Sequence, residues 1–137
     1  MLSACPPDLA RAREWLTYGH GVAVVKDGRL IGLEDGHGVA PFVRVAQRLG
    51  IQLRGTCLAD RVVGRAVALA CVAAEVAAVH GELMSERAIV VLEAAGIPVS
   101  AGRVVPGIEN RTRTGLCPTE MLVGDGVDPA EALPLLA

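Results

Sequence analysis

The stretch GTCLADRVVGRAVALACVAAEV, residues 55–76, decides how this chain is read. Thr56 to Ala59 forms a short apolar run suited to a strand, and from about Arg61 to Ala74 the pattern predicts a helix that is apolar on every face after Arg65. A helix of that kind is buried on several sides and belongs at the centre of a fold. It opens with Arg61 and Arg65, one turn apart. Unpaired backbone N–H groups already make a helix start positive, so two cations there work against the dipole and invite an anion. Guanidinium groups and free amides together suit a phosphate or carboxylate. Asp60 at this mouth either orients an arginine, contacts ligand hydroxyls or caps the helix. Gly64 belongs to the same candidate site or serves close helix packing, and the arginines have the competing option of extending to solvent.

Working outward, Asp8 is placed to cap a first helix with Leu9, Ala12 and Leu16 on one face and an end near Gly19. Val22–Val25, then Asp27-Gly28, then Leu30-Ile31 read as a hairpin whose turn residues accept positive φ. Pro41 fits the first position of a helix with Phe42, Val45, Ala46 and Leu49 inward and Gly50 as stop. After the central helix come a strand near Val79–Met84 and a helix capped by Ser85, with Ile89, Val91 and Leu92 inward and Gly96 at its end. Ile97–Val99 begins a weak last strand, Pro106–Leu116 is a loop, and Pro118 starts a short helix through Val123. Helices alternating with strands after one hairpin imply an α/β fold: a three-layer α/β/α domain with a mixed sheet. Ligands of such sheets sit beyond the carboxyl ends of strands, which is where Asp60, Arg61 and Gly64 are expected.

Length and composition narrow the rest. The 137 residues suit one domain, 1–137, with a core over about 9–123 and a tail at 124–137 that either forms a last turn from Pro129 or hangs loose. Half of the chain, 52%, is hydrophobic but only 2% is aromatic, so Ala, Val, Leu and Ile must build the core. A net charge of −2, with Trp15, Tyr18 and Phe42 as the whole aromatic supply, argues against a nucleic-acid partner and gives no drive toward a membrane surface. The apolar run Ala66–Ala74 is far shorter than the roughly 20 residues of a span, and LSAC at the start lacks the basic and apolar stretches of an export signal. A cytoplasmic protein is expected, with Cys5, Cys57, Cys71 and Cys117 as free thiols.

The second constellation is NRTRTGLCPTE, 110–120. With Pro118 at a helix first position, Cys117 becomes the N-cap residue, and the dipole with Arg111 or Arg113 would favour its thiolate, making it the best nucleophile candidate in the chain. The competing reading is a packed sulfur beside a cap completed by Glu120. Asn110, Arg111, Thr114, Gly115 and Glu120 supply amide, guanidinium, hydroxyl, backbone and carboxylate groups for a ligand.

LADRVVGRA (58–66), MSERAIVVLEAAGIPVS (84–100) and NRTRTGLCPTEMLV (110–123) in this order resemble a bacterial domain-of-unknown-function family over roughly residues 9–123. That family is similar in fold to cytidine deaminases but lacks their zinc motifs, so the resemblance implies a deaminase-like fold and no particular activity. Zinc deamination needs HxE and PCxxC at two helix starts. The corresponding places read HGV at 37–39 and TCLAD at 56–60, with Val39 where the proton-shuttling Glu would stand. His37, Cys57 and Asp60 are the conceivable ligands, yet Cys57 reads more simply as a small buried strand residue and His37 as a loop residue. His20 and His80 are read as structural. No metal or cofactor is expected. The leading expectation is a zinc-free protein that binds a small anionic, nucleotide-like molecule between 58–65 and 110–120. A thiol enzyme or redox sensor using Cys117, and a non-catalytic homo-oligomeric module joined through Ala- and Val-rich faces, are the alternatives.

Overall fold

The computed structural model describes residues 6–107. They run through α1 (Pro7–Thr17), β1 (Val22–Lys26), β2 (Arg29–Glu34), α2 (Ala40–Leu49), a 3-10 turn (Gly50–Leu53), β3 (Cys57–Val63), α3 (Arg65–Ala73), β4 (Ala78–Ser85), α4 (Glu86–Ala94) and β5 (Val99–Val105). The five strands form one mixed sheet in the order β2-β1-β3-β4-β5. β1 is antiparallel to β2 and β3, whereas β3, β4 and β5 are parallel. Parallel neighbours need crossovers, and two crossovers of one hand stepping in one direction put α3 and α4 on the same face.

The layers are unequal. Leu58, Val22, Val24 and Val79 meet α2, α3 and α4 through Phe42, Val45, Leu69, Ala88 and Leu92, all buried. On the other face Ala23, Val25 and Ala59 meet Ala12 and Leu16 of α1. The α/β/α expectation holds, with one helix of the described residues on one side and three on the other. A core short of aromatic rings achieves this by close approach. A Cβ on Gly81, for instance, would come within 3.0 Å of Val63 Cγ2 and 2.9 Å of Met84 Cε.

Local signals behave as their chemistry dictates. Asp27 and Gly28 adopt φ of 51° and 77°, the twisted turn that matches a hairpin. Ser85 Oγ accepts the Ala88 N–H at 3.0 Å and caps α4. Gly50 closes α2 at positive φ. Asp8 is a correction: Pro6 is the N-cap of α1, and the Asp8 carboxylate accepts the Gly28 N–H, tying the helix to the hairpin turn. The last strand also differs, since Ile97 precedes β5, which runs four residues longer than its apolar start suggested because β4 offers register partners from Val79 to Ser85.

The stretch 55–76 departs from the helix start expected near Arg61. β3 continues to Val63, and α3 begins at Arg65 rather than near Arg61. β1 and β4 both offer ladder partners to Asp60, and β4 continues alongside Val62 and Val63. Tertiary pairing of β-branched residues outweighs a helix start there. Gly64, in extended conformation, is the N-cap. The expected loop over 106–116, helix over 118–123 and tail lie outside the described residues, apart from Pro106 and Gly107.

Candidate functional site

The strand assignment separates residues that a helix would have joined. Along β3, side chains alternate, so Cys57, Ala59 and Arg61 face α1 while Leu58 and Asp60 face the helical layer. Arg61 therefore faces away from Asp60 and the start of α3. Its Nε donates to the His20 carbonyl at 2.9 Å and its Nη2 to the Leu16 carbonyl at 3.4 Å. A cation on the last carbonyls of α1 is where the helix dipole favours one. The guanidinium closes the end of α1 against the sheet, which is a structural use.

Asp60 is 3% exposed and sits between Val22 of β1 and Gly81 of β4. Burial raises its carboxyl from the ordinary 3.8 to about 7, against the opposing effect of N–H groups donated by Val62 and Arg61. Those bonds go to strand backbone, so Asp60 does not cap α3. It is near enough to Cys71 for its charge to act on that thiol. Burial, with the Asp60 carboxylate adding, pushes the Cys71 thiol well up and leaves it unreactive. No spacing rule in the sequence pairs a strand carboxyl with a cysteine eleven residues on. The crossover alone brings them together.

Arg65 is the first residue of α3 and is only 9% exposed. No side-chain hydrogen bond caps α3 among the described residues, and its first turn follows the carboxyl end of β3 through Gly64 alone. Of the predicted group at 58–65, the structure keeps Asp60, Gly64 and Arg65 along the β3–α3 connection and removes Arg61 to the opposite face. Asn110, Arg111, Thr114, Gly115, Cys117 and Glu120 lie outside the described residues. A groove lined by Arg11, Glu14, Trp15, Tyr18, His20 and Leu30 opens on the α1 side, away from Asp60.

The described residues can be compared with the donors that a deaminase zinc needs. His37 is exposed ahead of α2, and Val39 is the N-cap of that helix where a Glu would be required. Cys57 is buried at the opposite end of β3 from α3, against Leu9 and Ala78. The start of α3 reads Gly64-Arg65-Ala66-Val67, with no thiol. Among the described residues no three His, Cys, Asp or Glu side chains come together as a metal site. The deaminase zinc does not fit the described residues.

A hairpin, a βαβαβ run and this arrangement of α1 to α4 define an α/β fold of the cytidine-deaminase kind. The chain belongs to the family described as a domain of unknown function, DUF1893 (TM1506), whose model matches residues 11–137. It is similar to the crystal structure of a DUF1893 family protein (TM1506) from Thermotoga maritima, at 20% identity and a TM-score of 0.83 over 99% of this chain and 92% of that one. It is also similar in fold to Acinetobacter baumannii RibD, with 24% identity and a TM-score of 0.53. There 69% of this chain matches and only 34% of RibD is spanned. The dCMP deaminase of cyanophage S-TIM5, crystallised with dCMP and dUMP, gives 14% identity and a TM-score of 0.50 over 72% of this chain and 99% of that one. No curated protein matches the chain. No helix of the described residues is long and apolar enough to cross a membrane.

Proposed function

We propose that this protein binds a small anionic, nucleotide-like molecule at the start of α3, without the zinc ligands of the deaminases. One observation carries the reading: a buried arginine, Arg65, opens a helix whose first turn has no side-chain cap among the described residues, directly after the carboxyl end of a strand parallel to β4. The proposed site takes Gly64, Arg65 and the amides of Ala66 and Val67 from the β3–α3 connection that also carries Asp60; the other ligand candidates of the sequence, Asn110, Arg111, Thr114, Gly115 and Glu120, lie outside the described residues. A fold neighbour crystallised with dCMP and dUMP supports a nucleotide as the first class to try. Asp60, protonated below about pH 7, does not repel an anion; once ionised it does, so affinity falls as pH rises through that value.

Thermal-shift measurements with dCMP, dUMP, other nucleoside monophosphates and inorganic phosphate test the proposal. A ligand at about 100 times its Kd stabilises by about 2.7 kcal/mol. The expected result is stabilisation by a phosphorylated ligand, abolished by Arg65→Gln and retained in Arg61→Ala. Lack of stabilisation by every compound, or an undiminished response in Arg65→Gln, would refute it.

A further inference from the structure

We infer that the face of the sheet opposite Asp60 carries a serine nucleophile, Ser100, activated by His80 and held in line by Glu82. His80 and Ser100 are register partners across the parallel strands β4 and β5, and Glu82 follows His80 by two residues, so all three project from one face. His80 Nδ1 lies 2.9 Å from Ser100 Oγ, and His80 Nε2 lies 2.9 Å from Glu82 Oε1. A carboxylate only accepts. Nε2 therefore carries the proton, and Nδ1 is left to accept from the serine hydroxyl. The imidazole is wholly buried, while Ser100 is half-buried and Glu82 keeps 40% of its side chain exposed.

Nucleophile, base and orienting carboxylate within hydrogen-bond reach are the parts of a covalent hydrolytic site, recognised by roles and geometry and not by order in the chain. Two further residues adjoin Glu82. Arg13 of α1 places its Nε 3.8 Å from Glu82 Oε1. Gly102, on the same face as Ser100, leaves room that a Cβ would fill, since that atom would lie 2.7 Å from the Glu82 carbonyl and 3.0 Å from Oε2. Glu82 is thus a positioning residue, and its charge stabilises the imidazolium formed when His80 takes a proton.

A hydroxyl activated in this way attacks an acyl carbon, so a small carboxylic ester is the simplest substrate class for the proposed site. Ser100 Oγ bonds to the carbonyl carbon as its proton passes to His80 Nδ1; the bond to the alcohol oxygen breaks, and that oxygen leaves with the proton from His80. Water then attacks the acyl-serine, giving one proton to His80 and through it to Ser100 Oγ, so that ester and water become acid and alcohol. Atoms and charges balance with no other reactant.

The test treats the full-length protein with a fluorophosphonate probe, locates the adduct by peptide mass spectrometry, and follows p-nitrophenyl acetate hydrolysis in parallel. Labelling of Ser100 is expected, absent in Ser100→Ala and slowed about 100-fold in His80→Asn, which keeps a hydrogen-bond acceptor near Nδ1 but removes the base. Glu82→Gln, at an exposed carboxylate, should label about 10-fold more slowly while melting within a few degrees of wild type. Nitrogen-15 spectra of the wild type should show the Nε2–H tautomer of His80. An unlabelled Ser100 in the folded wild type, wild-type labelling rates in Glu82→Gln, or an Nδ1–H tautomer would each overturn the inference and leave His80 as a tie between β4 and β5.

Discussion

Asp60→Asn separates the cost of a buried carboxylate from everything else in the fold. The folded protein holds the Asp60 carboxyl at about 7 instead of 3.8 because burial disfavours the charge. Below pH 3.8 the group is protonated in both states, and its relative contribution to stability is fully present. Between 3.8 and about 7 the unfolded chain releases the proton first, so stability falls with rising pH until the folded carboxyl also ionises; above about 7 the loss is complete. At about 1.4 kcal/mol per pH unit, that interval amounts to about 4 kcal/mol, a large part of the 5–15 kcal/mol typical of a domain. Asparagine keeps an oxygen for one of the Val62 and Arg61 amides but does not titrate. Its fixed cost is independent of pH, and every other titrating group is common to both proteins. The stability of Asp60→Asn minus that of wild type should thus rise by about 4 kcal/mol from pH 4 to pH 8. Urea unfolding at half-unit pH steps, with the same slope checked for both proteins, measures it. Parallel curves, or a difference changing by less than about 1 kcal/mol, would refute the buried-charge reasoning.

Arg61→Ala should lose about 1–2 kcal/mol, because the His20 and Leu16 carbonyls forfeit a charged donor; denaturant titration checks this, and a silent substitution would contradict the closing role of Arg61. Gly81→Ala should cost about 1–3 kcal/mol, since the end of Met84 can swing aside but the buried, β-branched Val63 cannot, and thermal unfolding reads the loss. In the native protein Cys57 and Cys71, both buried, should resist iodoacetamide at pH 8 while reacting in denaturant, as counted by intact mass. The rate of alkylation of Cys117 against pH decides the thiol-enzyme reading: a profile like that of a free thiol would end it.

Much of the fold was legible because its signals are local. Asp27-Gly28 specifies a twisted turn through its own backbone preferences, Ser85 caps through one hydroxyl, and the Phe42, Val45, Ala46, Leu49 stripe declares which side of α2 is buried. The motifs also pointed correctly to the family and to the deaminase-like fold. Residues 61–63, expected in a helix, and Asp60 before them are strand for the opposite reason. Their strand state depends on partners more than fifteen residues away, Val22 on one side and Gly81 to Met84 on the other, and no window along the chain contains those partners.

The sequence by itself determined the alternation of helices and strands and the aliphatic core, since turn chemistry and periodicity are properties of residues and their near neighbours. Only the tertiary structure decided that Arg61 serves α1 while Arg65 serves α3, that Asp60 meets Cys71, and that His80 stands between Ser100 and Glu82. A sheet has two faces and a register. Which face a side chain takes, and whom it meets across the strands, follow from pairing between segments far apart in the chain.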